Sequence, residues 1–224
     1  MTKLVSPDID TELFAKVKLY PHQMNNNIYI NLKNNLKKSI EKKCIKYGYV
    51  KKIYKINDYS SGIICPENLD SAGIFKIKYS CKLCRPNENT MIICRIDLIN
   101  KVLVKAKNGP IICIIKISQI NKEKFSLNNN GDIVYNNDNK IIKSGDYIKV
   151  NIVAKNFFAG DERIVILAKL VDLATDEEVN DFYGIEEEVE DVSDTEENVN
   201  DTEENNESDN EENNNNANNN YINL

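Results

Sequence analysis

Cys81 and Cys84 are separated by two residues, the C-x-x-C spacing at which two thiolates supply half of a tetrahedral zinc site. Half a site needs two more ligands. The remaining cysteines, Cys44, Cys65, Cys94 and Cys113, form no second pair, and the single histidine, His22, is far away in the chain. The stretch "IFKIKYSCKLC" also alternates Phe75, Ile77, Tyr79, Cys81 and Leu83 onto one strand face, so Cys81 reads as a small core side chain. No metal and no cofactor is expected. Parts for catalysis are equally scarce, with no phosphate loop, no dinucleotide fingerprint and no nucleophile elbow. His22 follows Pro21 at a strand-to-helix junction and reads as a capping or surface residue, while the carboxylates before residue 170 are scattered. An enzyme is not expected.

Residues that could bind a polyanion are more numerous. The net charge of −6 conceals +14 over residues 1–169 and −20 over residues 170–224. Lys101, Lys105 and Lys107 flank one predicted strand, Lys149 and Lys155 another, and Phe157 and Phe158 close the latter. Lysines that follow phosphates and aromatics that stack on bases are the means by which small barrels hold single strands. The same pattern also suits a solvated barrel surface with one phenylalanine in the core, and no base-reading motif accompanies it.

The elements that would position these residues can be read from periodicity. In "ELFAKVKLYP" strict alternation puts Leu13, Ala15, Val17 and Leu19 on one face of a strand ended by Pro21. Met24, Ile28, Leu32, Leu36 and Ile40 recur every four residues as one helical stripe, with Asn25–Asn27 as caps. "KKCIKYGYVKKIYKI" predicts a strand with a bulge beside Gly48, on which Tyr47 and Tyr49 pack against that helix or, alternatively, stack on bases. A loop, "NDYSSGIICPENLDSAG", leads to the strand carrying Cys81. Three close strands follow, then a polar insertion and two more strands, an order that suits a five-stranded OB-type barrel or, alternatively, an open sandwich. Beyond Asp172 the chain is acidic and asparagine-rich, and disorder is expected because little apolar surface offsets the entropy of ordering.

In order and spacing these parts resemble the larger stalk subunit of archaeal and eukaryotic RNA polymerases, over about Glu12 to Asp172. The residues that carry the resemblance are "KKCIKYGYVKKIYKI", "LYP", "SGIICPENLDSAGIFKIKYSCKLCRP", "NGP" and "GDYIKVNIVAKNFFAGDERIVILAKLVD". The fold it implies is an α+β N-terminal ribonucleoprotein-like domain, residues 1–84, followed by an all-β OB-fold barrel, residues 85–172. A disordered acidic tail, residues 173–224, completes the expected organisation. The resemblance implies docking on the polymerase core subunits through a tip containing Gly62, Ile63, Ile64, Pro66 and Gly73. It further implies a smaller helical stalk partner and contact of the barrel with nascent RNA. Two departures stand out: Glu67 replaces a glycine of the tip, and "NENTMIIC" keeps only Glu88 of the step that opens the barrel.

The expectation is thus a non-catalytic stalk subunit of a DNA-dependent RNA polymerase. Abundant asparagine, lysine and isoleucine, as expected from AT-rich coding, and the tail suggest a divergent version from a large DNA virus. The start "MTKLVSPDIDTELF" lacks a secretory pattern, and no run approaches the roughly 20 apolar residues of a membrane span. An intracellular place with the transcription machinery follows, in host cytoplasm or virion for a virus and the nucleus for a cell. The competing expectation is a free-standing OB-fold RNA-binding protein of translation or RNA decay.

Overall fold

Alternation and burial agree from the first strand of the computed structural model, which describes residues 3–64, 71–128 and 132–184. Strand β1 (Asp8–Leu19) turns Val17 and Leu19 into a core and leaves Glu12, Phe14, Lys16 and Lys18 on the opposite, solvent side. Helix α1 (Ile28–Ile40) buries Leu32 and Leu36 against that core, with Met24, Ile28 and Ile40 packed around them. Asn27 occupies the cap position without a side-chain cap bond; the Asn25 carboxamide oxygen accepts from the Asn27 backbone N–H instead.

The stretch Lys42–Ile56 departs from the expected single bulged strand. It is a hairpin in which β2 (Cys44–Ile45) and β3 (Gly48–Tyr59) are joined through Lys46 and Tyr47. The bulges come later, between Val50 and Lys52, Ile53 and Lys55, and Ile56 and Asp58. Each adds a residue and resets the two-residue phase, so Val50, Ile53 and Ile56 all reach the core at intervals of three. Gly48 has a different duty. Its φ is +145°, and a Cβ there would lie 2.5 Å from the Cys84 carbonyl oxygen, so only glycine lets the hairpin lie against the next strand.

Strand β4 (Ile63–Ile64) is a short addition to the edge of β5 (Gly73–Cys84), and the sheet runs β1-β5-β3-β2. Central strand β5 links two cores. Phe75, Ile77, Tyr79, Cys81 and Leu83 face α1 as expected, whereas Cys84 belongs to the core of the second half.

That second half contains the expected five-stranded barrel and not the sandwich. It comprises β6 (Met91–Ile99), β7 (Leu103–Asn108) and β8 (Ile111–Lys116), then a small sheet of β9 (Phe125–Leu127), β10 (Ile133–Tyr135) and β11 (Lys140–Ile141). Strands β12 (Tyr147–Asn156) and β13 (Ile164–Leu173) complete it in the closed order β12-β13-β8-β7-β6, with β13 and β8 parallel. Closure leaves none of the five strands with an open edge of the kind that invites aggregation. Both halves lie in one compact unit, Met1–Glu186. Backbone bonds stitch them together: Cys44 N–H to Asp161 C=O at 2.6 Å, Gly160 N–H to Cys44 C=O at 2.8 Å, and Val5 N–H to Met91 C=O at 3.0 Å.

Disorder from residue 173 onward is not what residues 173–183 adopt. Leu173 ends β13, and Asp176–Tyr183 form helix α2. The local cause is a reciprocal cap. The Glu178 backbone N–H donates to Thr175 Oγ1 at 3.3 Å, and the Thr175 N–H donates to the Glu178 carboxylate at 3.0 Å. Asp176, Glu177 and Glu178 in the first turn complement the helix dipole, and Phe182 packs on the barrel core. The tail beyond residue 184 lies outside the described residues.

Candidate functional site

The C-x-x-C pair does not converge. Three residues apart on a strand point to opposite faces, and Cys81 and Cys84 accordingly sit in different cores. Burial pushes the thiols up to about 11 and about 12, which keeps both protonated and poor as metal ligands. Among the described residues no cluster of three or more His, Cys, Asp or Glu side chains is arranged to hold an ion. His22 is exposed and stacks on Tyr20 with ring centroids 6.0 Å apart.

The seven predicted RNA-contacting residues do not form one patch. Lys101 is exposed in the turn between β6 and β7. Lys105 and Lys107 share Asp97, at 3.4 and 2.9 Å. Hydrogen bonds from Lys107 and then Lys105 outweigh desolvation and hold the Asp97 carboxyl below its usual range. Lys149 is mostly buried beneath α2 and bonds both oxygens of Glu178, at 2.9 and 3.0 Å, with Asp172 at 3.7 Å. Lys155 donates to the Pro86 carbonyl at 2.9 Å. Phe157 packs against the barrel core, while Phe158 is exposed. The expected packing of Tyr47 and Tyr49 on helix α1 is not found: Tyr49 packs against the barrel core as well, and Tyr47, 41% exposed, lies under the Lys46 ammonium.

Sheet register assembles a better site, in which Lys107 is joined by residues that the linear pattern did not single out. Tyr147 on β12 lies opposite Arg95 on β6, and Arg95 lies opposite Lys107 on β7. The three form a row across adjacent strands on the outside of the barrel. They line a cleft of about 570 Å³ together with Asp97, Gly109 and Tyr183. Tyr183 of α2 closes one side, its ring edge-on to Tyr147 at 5.9 Å and its hydroxyl donating to the Ile93 carbonyl at 3.1 Å. Asn108 donates to the same carbonyl at 2.7 Å and holds the floor of the cleft in place. Among the described residues Arg95 has no carboxylate within ion-pair reach, so its guanidinium is available to an incoming anion.

At the other end of the molecule, Ile63 and Ile64 are each 56% exposed. Ile63 pairs with Ile74 and Ile64 with Gly73, so the two side chains emerge on opposite faces of the tip. Ile64 lines an apolar groove of about 410 Å³ with Met24, Ile28, Tyr59, Gly62 and Phe75. Gly62 lies flat on the Phe75 ring and Gly73 on Met24, where a Cβ would clash at 2.5 and 2.7 Å. Four of the five predicted docking residues thus share the tip, and Pro66 lies outside the described residues.

Among the described residues no helix is long and apolar enough to cross a membrane. No family model matches the chain. Over 172 aligned residues it is 38% identical to an Acanthamoeba polyphaga mimivirus protein described as a "Putative DNA-directed RNA polymerase subunit", an alignment covering 77% of this chain and 86% of that relative. At that identity and coverage, the chain belongs to the family of DNA-directed RNA polymerase subunits to which the mimivirus protein is assigned.

Proposed function

We propose that the chain is a non-catalytic subunit of a DNA-dependent RNA polymerase, of the larger stalk type, that docks by its tip and holds emerging transcript on its barrel. The observation that carries the polymerase assignment is the relation to the mimivirus subunit. The stalk reading adds the order of parts: a helix-backed sheet with an exposed apolar tip, followed by a closed five-stranded barrel. Its partners would be the polymerase core subunits, a smaller stalk subunit and nascent RNA, at the site of viral transcription in cytoplasm or virion.

Transcript binding is assigned to the Tyr147–Arg95–Lys107 row. A guanidinium with no ion-pair partner attracts phosphate, and the flanking tyrosines offer faces and edges to bases. The large share of phosphate contact makes such binding weaken steeply with salt. Lys149 is removed from this role because α2 already neutralises it.

The decisive experiment is purification of the tagged chain from producing cells and identification of what accompanies it. Recovery of the two largest polymerase subunits at equal stoichiometry supports the proposal. Recovery of ribosomes or decay factors without polymerase would instead establish the free-standing RNA-binding protein.

A further inference from the structure

The outer face of the N-terminal sheet carries a second feature, distinct from the barrel cleft and from the tip. Phe14 is 77% exposed on β1, although large aromatics ordinarily bury most of their area. It is not part of an apolar patch. Its strand neighbours on that face are Glu12 and Lys16, and its partner across the ladder is Lys78. Next along, Lys16 and Lys76 lie directly opposite each other, and like charges in that relation are destabilising. Among the described residues neither has a carboxylate within ion-pair reach, whereas Lys78 is paired with Glu12 at 2.6 Å. Farther along the same face Tyr54 donates to Asp10 at 2.9 Å and Asn57 to Glu12 at 2.6 Å. The bare ring and two lysines without an ion pair thus lie side by side on this face.

We propose that Phe14, Lys16 and Lys76 form a contact site for single-stranded nucleic acid. A flat sheet with one exposed ring and flanking ammonium groups offers what such a strand needs, a stacking surface for a base and cations for the adjoining phosphates. A protein partner fits less well. The buried centres of protein interfaces are depleted in lysine, and covering Phe14 would desolvate Lys16 and Lys76 with it.

The test is fluorescence anisotropy with labelled 12-nucleotide RNA and DNA of one sequence, using the full chain, Phe14→Ala, Lys16→Glu/Lys76→Glu and Arg95→Glu. Phe14→Ala should weaken binding about tenfold, the effect of one lost stacked base. The double charge reversal should also flatten the salt dependence by about one to two phosphate contacts. Both losses should persist by the same factor in the Arg95→Glu background, which separates this site from the barrel cleft. Equal losses with RNA and DNA support a site for either strand, and losses with RNA alone assign it to RNA. Photocrosslinks from thiouridine-containing RNA should fall in the peptide holding Phe14. Because the three side chains are exposed, circular dichroism and melting should match the parent and confirm folding. Affinity within twofold of the parent for both variants overturns the proposal. So does unchanged affinity accompanied by loss of polymerase subunits, since the face would then be a protein contact.

Discussion

A single ammonium, that of Lys149, donates to both carboxylate oxygens of Glu178, joining the barrel wall to the C-terminal helix. Lys149→Glu would set three acids together, the new one with Glu178 and Asp172, and should release α2 from the barrel. The double exchange Lys149→Glu/Glu178→Lys should restore docking in part. Amide hydrogen exchange over residues 176–183 reads both outcomes. The pair itself should contribute about 1 kcal/mol, because Glu178 is 38% exposed and solvent screens it.

The same contact has a pH dependence with a defined sign. The Glu178 carboxyl lies below the usual range because the Thr175 backbone N–H bonds it and Lys149 faces it, against some opposition from desolvation. Burial opposes ionisation of Asp172, but hydrogen bonds from Lys124 and Tyr135 and the Lys149 charge outweigh it. Both folded values are depressed, so the stabilisation is complete above the ordinary carboxylate range near 4 and fades as pH falls through the depressed values. Protection of α2 in hydrogen exchange should be flat from about pH 7 to 5 and decline below about 4. Protection that falls instead on raising the pH from 5 to 7 would contradict this assignment.

Helix α2 also marks where a linear reading stops. Its acidic composition hides it in the tail, although Thr175 and Glu178 stand at capping-box spacing and Phe182 and Tyr183 supply apolar weight. The faces of β1 and β5 were legible because strict alternation runs unbroken through Leu13–Leu19 and Phe75–Leu83. The four-residue stripe of α1 was legible for the same reason. Strand β3 was not, because its three bulges depend on how it bends around β5, which local pattern does not encode. Arg95 could not be found as a site residue because its neighbours Tyr147 and Lys107 are brought to it only by register across strands. Lys149 illustrates the converse: its charge was plain, but its partner lay in a segment expected to be disordered.

Gly48→Ala should be strongly destabilising without touching any of the three proposed binding surfaces. Backbone strain at a φ of +145° costs roughly 1–3 kcal/mol, and the Cβ contact with Cys84 falls on backbone that cannot move aside easily. The hairpin lies where the sheet meets the barrel, so the melting temperature should drop by several degrees as a single transition. A melt unchanged to within one degree would mean that the hairpin is not held against β5.

The tip predicts a separation of assembly from folding. Ile63→Asp and Ile64→Asp alter side chains already 56% exposed, so stability should change by no more than about 0.5 kcal/mol. Burial of such anchors against a partner, in contrast, is where binding energy concentrates, and losing one should cost about 2 kcal/mol of affinity or more. Co-purification with the polymerase core should therefore fall sharply while the free protein melts normally. Ile64 lines the groove and Ile63 emerges on the opposite face, so unequal losses would identify which face of the tip is covered.

Arg95→Glu distinguishes the register-built cleft from the lysines that composition alone would favour. Reversing Arg95 removes a cation that makes no ion pair among the described residues and adds a carboxylate to the cleft that Asp97 also lines, so RNA affinity at moderate salt should fall at least tenfold. Lys155→Glu acts on a side chain already bonded to the Pro86 carbonyl and should cost less than threefold in RNA affinity. Lys105→Glu should be intermediate, because Asp97 already offsets part of its charge. Filter binding across a salt series separates the three, with the slope reduced most for Arg95→Glu. Should Lys155→Glu prove the most damaging instead, the transcript path would run along β12 toward Phe158 rather than through the cleft beside Tyr183.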